Sequence, residues 1–303
     1  MIDFRYHLVS LVAVFLALAV GVVLGAGPLR EAVGAALTDQ VQGLREREGE
    51  LSRAVAERDE QLAGRDAVIA AAAPRLVAGS LEGTSVVVVL LPGADAALAD
   101  GLAGQLAGAG AAVTGRVALQ PSWLDPGQQT FRSTLAGQLV PYLDPRPAAD
   151  ATASAQLAAA LAQAVLRPAA EEEDAADPSP ALESLRSAEL VALEGDPAQR
   201  AAAAVVVAPA RPSGPAADWA PLLGALEARG AGTVLAGPAG AAAEGGDLAP
   251  LRADGATGVS TVDSAEAPAG QLAVVLALRE QLDGGGGHYG AGAGATAPLP
   301  AGA

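Results

Sequence analysis

The run Leu8–Ala26 is nineteen residues without a charge, and Ser10 is its single polar side chain. At about 1.5 Å per residue it spans about 30 Å, the thickness of a bilayer's hydrocarbon core. A core helix of a small domain rarely stays apolar on every face for that length. Residues 8–26 are therefore read as a transmembrane helix, with 1–7 as a short N-terminal segment. A cleaved signal peptide has an apolar stretch of about 7–15 residues ahead of an accessible bond. Here the stretch is longer, and Gly25-Ala26-Gly27 leads directly into Pro28, so retention as an anchor is expected. Gly21 and Gly25 form a small-xxx-small pair through which two such helices can approach closely. Arg5 precedes the span while Arg30 and Arg45 follow it, so the positive-inside count does not fix the orientation.

Residues 37–73 follow a heptad. One set of positions is Val41, Glu48, Val55, Leu62 and Ile69, and the other is Leu37, Leu44, Leu51, Arg58 and Arg65. An apolar seam sustained over several heptads, with charges of both signs between, predicts a coiled-coil stalk. A polar helix cannot bury such a stripe alone. The simplest partner is another copy, which makes a homo-oligomer the expectation; the competing arrangement folds the stripe back on the rest of the chain. Pro74 is expected to close the helix.

Residues 80–282 change texture. Thr84–Leu91 is a near-continuous aliphatic run ended by Pro92-Gly93, the pattern of a strand buried on both faces in a parallel sheet. A helix over 94–109 and a strand over 111–119 follow. Strands over 203–208 and 232–237 flank a helix from about 218 to 229, and a strand at 259–262 precedes a helix from about 268 to 282. This alternation predicts a small, mostly parallel α/β layered domain. Its middle, about 127–195, reads as helical and irregular. The run Glu171-Glu172-Glu173-Asp174 lacks the spacing and central glycine of a calcium loop and reads as a solvated loop. From 283 to 303 glycine, alanine and proline dominate, and a disordered tail is expected.

The chain carries 18 basic and 34 acidic residues, a formal net charge of -16. That charge repels nucleic acid, which is excluded as a partner. There is no Cys, hence no disulfide framework and no thiolate metal site. There is also no Lys, and the Leu91-Pro92-Gly93-Ala94-Asp95 turn has neither a dinucleotide fingerprint nor a phosphate loop. The two histidines are His7, at the membrane boundary, and His288, in the glycine-rich tail, so a histidine-based triad has no candidate. Catalytic and cofactor-binding residues are read as none, and the chain as not an enzyme. Met1, His7 and His288 are too scattered for one copper site, and the metal ligands are unknown.

Two stretches carry a family resemblance. His7-Leu8-Val9-Ser10-Leu11-Val12-Ala13-Val14-Phe15-Leu16-Ala17-Leu18-Ala19, running on through Gly21 to Gly25, resembles the N-terminus of the mycobacterial copper transport protein B (MctB) family of actinobacteria. Val259-Ser260-Thr261-Val262-Asp263, Gly270–Leu276, Gly284-Gly285, Tyr289-Gly290 and Gly232–Gly237 are similar to the same family. The resemblance implies an actinobacterial envelope protein concerned with copper transport or homeostasis, anchored in the cell membrane with its bulk outside the cytoplasm. Copper enters as an expectation only through this resemblance. A transmembrane barrel would need about eight or more alternating strands and aromatic girdles, whereas residues after 30 hold only Trp123, Phe131, Tyr142, Trp219 and Tyr289 as aromatics. A pore formed by one chain is therefore not expected. The alternative reading is an envelope scaffold whose α/β body binds a partner protein in cell-wall remodelling or cell separation.

Overall fold

A computed structural model describes residues 4–26, 28–168, 180–195, 199–212, 216–254 and 258–301. The acidic run Glu171–Asp174 lies outside the described residues. The chain divides into two compact units, Met1–Arg65 and Asp66–Ala303.

The first unit is helical. α1 is Phe4–Ala26 and α2 is Pro28–Val77, a helix that continues into the second unit. Phe4–Val23 of α1 is long and apolar enough to cross a membrane. Proline at the first position of α2 sacrifices only a donor that a helix start leaves unused, and the run of Ala, Leu, Glu, Gln and Arg behind it favours helix. Pro74 does not close α2; the helix runs on to Val77 with the proline inside it. The ring costs one backbone hydrogen bond there, and burial of Ala73 and Val77 in the body's core holds the last turn in place.

The second unit then proceeds through β1 (Ser85–Leu90), α3 (Ala96–Gly108), β2 (Ala112–Leu119), α4 (Gln129–Leu139), α5 (Ala153–Val165), α6 (Pro180–Ser187), β3 (Val191–Gly195), β4 (Ala203–Val207), α7 (Ala220–Arg229), β5 (Thr233–Ala236), α8 (Ala249–Asp254), β6 (Ser260–Val262), α9 (Pro268–Leu282) and β7 (His288–Tyr289). The sheet order is β3-β2-β1-β4-β5-β6-β7. All pairs are parallel except β2 with β3. This is a doubly wound arrangement whose strand order reverses between β1 and β4.

Alternation along β1 explains the layers. Val86, Val88 and Leu90 face one core with α3 and α9, while Val87 and Val89 face the other with α5, α6 and α7. Each fully buried valine of this kind contributes about 1.5–3 kcal/mol relative to an exposed one. β2 carries a bulge at Thr114, opposite the step from Val86 to Val87, which resets its register. The middle region holds more order than its sequence suggests: α5 is a core helix and β3 an antiparallel edge strand.

The expectation of a disordered tail is corrected. Residues 283–301 fold onto the sheet: β7 pairs with β6 through Thr261–His288 and Val262–Tyr289, and Tyr289 bridges to Ala297. Leu299 packs against the core. What orders this low-complexity stretch is a set of polar contacts described next.

Candidate functional site

The residues singled out from sequence do not converge on a cleft. Gly21 and Gly25 lie in α1, and the face at Gly21 is open, with nothing within 4 Å of where a Cβ would stand. Leu37, Val41, Leu44, Leu51, Val55 and Leu62 lie along α2 with their side chains exposed; Leu51 is 68% exposed. A furrow on this helix is lined by Leu44, Arg47, Glu48, Leu51, Ser52 and Val55. Ile69 differs from the rest of the seam, because it packs against the body's core.

The structure assembles a second group that sequence reasoning missed, at the carboxyl end of β6. Arg252 of α8 and Asp263, just after β6, form an ion pair of 2.9 Å with side chains 1% and 0% exposed. Such a pair persists in an apolar interior only when its remaining donors and acceptors are also met. They are. The Arg252 Nη1 and Nη2 groups donate to the carbonyls of Ala293 and Tyr289, at 2.9 and 2.8 Å. Asp263 accepts from the backbone N–H groups of Ala291 and Gly292, at 2.9 and 3.0 Å, and from the Ser264 hydroxyl at 2.8 Å. Burial by itself would raise the Asp263 carboxyl, but these donors and Arg252 together hold it below the ordinary range. Gly290 has φ +123°, and a Cβ there would run into the Asp263 carboxylate; only glycine lets the tail pass so close.

His288 belongs to the same group. Arg252 Nε donates to Thr261 Oγ1 at 3.0 Å, and His288 Nδ1 lies 3.0 Å from that oxygen. The threonine hydroxyl, already accepting from the guanidinium, has its hydrogen available for a neutral Nδ1. Burial and the nearby Arg252 charge both lower the His288 pKa, which favours that neutral form. The sequence placed His288 where no fold could orient it; here it is oriented and engaged. Beside it, burial and the Glu280 carboxylate, which accepts from the hydroxyl, raise the Tyr289 phenol.

The turns at the carboxyl end of the sheet carry further carboxylates. Asp95 caps α3 by accepting from Ala97 N–H at 2.9 Å, and both Glu266 oxygens accept from Ala239 N–H, at 3.1 and 3.2 Å. Asp247 is different: it is 3% exposed and neither oxygen has a hydrogen-bond partner. Burial pushes its pKa up to about 6.

A cavity of about 610 Å³ opens between α5, α7 and the 143–147 segment, floored by Ala159, Ala162, Ala225 and Ala228. Gln163 fastens its rim, accepting from Asp144 N–H at 2.8 Å and donating to the Tyr142 carbonyl at 2.9 Å. Its lining is mostly apolar. Among the described residues, no group of three or more His, Asp or Glu side chains stands close enough to hold a metal ion.

The family model described as "Copper transport outer membrane protein, MctB" matches residues 1–300. Proteins named copper transporter MctB from Mycobacterium bovis and Mycobacterium tuberculosis are each 34% identical over 313 residues, covering 97% of this chain and 98% of theirs.

Proposed function

Because the chain belongs to the MctB family, we propose that it acts in copper transport or homeostasis at the cell envelope. In this reading α1 is a single membrane anchor and the acidic body lies outside the cytoplasm. The observation that carries the reading is the family match over residues 1–300, together with 34% identity along nearly the whole of the named relatives. The part played is that of an anchored component and not of a one-chain pore, since α1 alone supplies no lumen. The body is non-enzymatic, and copies associate through the seam of α2. Copper is cargo or signal in this account, and no ligand residue is assigned to it. The test is deletion of the gene, with cellular copper and growth in copper measured. Raised copper and sensitivity, restored by the full chain, are expected; unchanged values for both would remove the reading.

A second reading is favoured by the exposed seam and the apolar cavity: a scaffold whose body binds an envelope protein that acts in cell-wall remodelling or cell separation. Cross-linking in membranes should then yield a discrete partner that disappears when residues 80–282 are deleted. A pattern of cross-links indifferent to that deletion would dismiss it.

A further inference from the structure

We propose that α2 pairs with α2 of a second copy as a two-stranded coiled coil, parallel and in register, with each charged seam residue met by an opposite charge from the partner. This rests on the reading of α2 as a coiled-coil strand given above, and it fixes the partner, the direction and the register.

The apolar residues themselves select the strand number. Val41 and Val55, with Leu62 beyond them, occupy one seam position of the heptad (a), and Leu37, Leu44 and Leu51 the other (d). β-branched residues at a with leucine at d favour two parallel strands. All six are exposed in the single chain, so the stripe is available.

The furrow on α2 is lined by the residues that would frame the knobs of such a partner. A knob from position a enters a hole made by d, g, a and d of the facing helix, and a knob from d enters one made by a, d, e and a. Leu44, Arg47, Glu48 and Leu51 are the first kind of hole; Glu48, Leu51, Ser52 and Val55 are the second. Together they are the furrow's lining.

The charges then choose the direction. In parallel register, Glu48 of one copy enters the hole that contains Arg47 of the other. Arg58 enters the hole formed by Val55, Arg58, Asp59 and Leu62, where it meets Asp59. The sequence repeats the pair one heptad later as Arg65 and Asp66. Each seam charge is thus set beside an opposite charge as well as its own equivalent, which offsets the like-charge contact at the centre of the layer. The rival is an antiparallel pair that sets Glu48 opposite Arg58 and Leu44 opposite Leu62. It conflicts with the anchor: a single residue separates α1 from α2, so two copies held in one bilayer begin their α2 helices at the same surface.

The chain has no cysteine, so single-cysteine variants of the full chain in membranes report on the pairing directly. With Leu44→Cys, mild oxidation should give a covalent dimer in more than half of the chains. Arg58→Glu in that background should lower the yield at least fivefold, because it sets two carboxylates beside Asp59. Arg58→Asp combined with Asp59→Arg should restore it to within about twofold. Circular dichroism of each variant checks that the helix is kept. Absence of the Leu44→Cys dimer, a cross-link that needs Leu44→Cys and Leu62→Cys chains mixed, or indifference to the charge reversal would each overturn the proposal. Cross-linking is scored whether or not deletion of the gene alters cellular copper, so failure of the pairing and failure of the copper role are distinguishable.

Discussion

Residues 283–301 and the seam of α2 between Leu37 and Leu62 are held by opposite kinds of interaction. The tail has few large side chains, yet it is fixed by a buried ion pair, by backbone donors aimed at Asp263 and by a two-residue strand. α2 displays a regular apolar stripe, yet in one chain that stripe faces solvent. Order in the first region comes from polar groups satisfied one by one, so each is costly to remove. The apolar stripe of the second is exposed in one copy, so its residues contribute little to the stability of the single chain.

The largest expected effect lies in the tail. Arg252→Ala leaves Asp263 charged, buried and without its cation, which costs about 3–5 kcal/mol. Chemical denaturation of the variant against the parent measures this; a loss below about 1 kcal/mol would erase the contrast between the regions. Next comes Asp247. Its folded pKa is raised from an ordinary value of 3.8 to about 6, so the folded state holds the proton more tightly than the unfolded one. Stability therefore falls as pH rises from about 4 to 6 and stays reduced above. Asp247→Asn should stabilise the chain by about 1–3 kcal/mol at pH 7.5 and by little at pH 4, read from denaturation at the two pH values. An equal effect at both would assign the gain to packing instead.

Asp263 has the opposite sign. Its folded pKa lies below the ordinary value, so its contribution is present above about pH 4 and is lost as pH falls through the lower folded value. In Asp263→Asn the fall of stability between pH 4 and pH 2 should be shallower than in the parent, and an unchanged slope would count against the cage. Gly290→Ala should cost more than about 1 kcal/mol, because both the φ of +123° and the carboxylate behind it oppose a methyl group. Smallest of all, Leu51→Ala on the seam should shift the unfolding of the sheet domain by no more than about 0.5 kcal/mol. A larger shift would mean that the stripe is buried against its own chain.

Much of the sheet was legible because its strands carry their own signal. The aliphatic runs at 84–91 and 203–208 mark β1 and β4, and the helix expected from about 268 to 282 is α9. β3 escaped notice because Val191–Gly195 mixes apolar and acidic residues, as an edge strand exposed on one side does. The tail escaped for a different reason. Arg252, Asp263 and His288 are brought together from α8, the end of β6 and β7, and no spacing along the chain announces that meeting. Their one local sign was the Val259–Asp263 stretch, which carried the family resemblance without indicating what Asp263 holds. Pro74 misled because a helix end was inferred from one lost hydrogen bond, while Val77 buried beyond it outweighs that loss.

Carboxylates at the ends of the parallel strands hold backbone amides of the chain itself. In doubly wound sheets this rim is where amide groups wait for the phosphate of a nucleotide. Here Asp95 accepts from Ala97 N–H and Glu266 from Ala239 N–H at that rim, while Asp263 accepts from Ala291 N–H and Gly292 N–H of the tail. At this end of the sheet the chain's own acids thus serve as masonry for the fold.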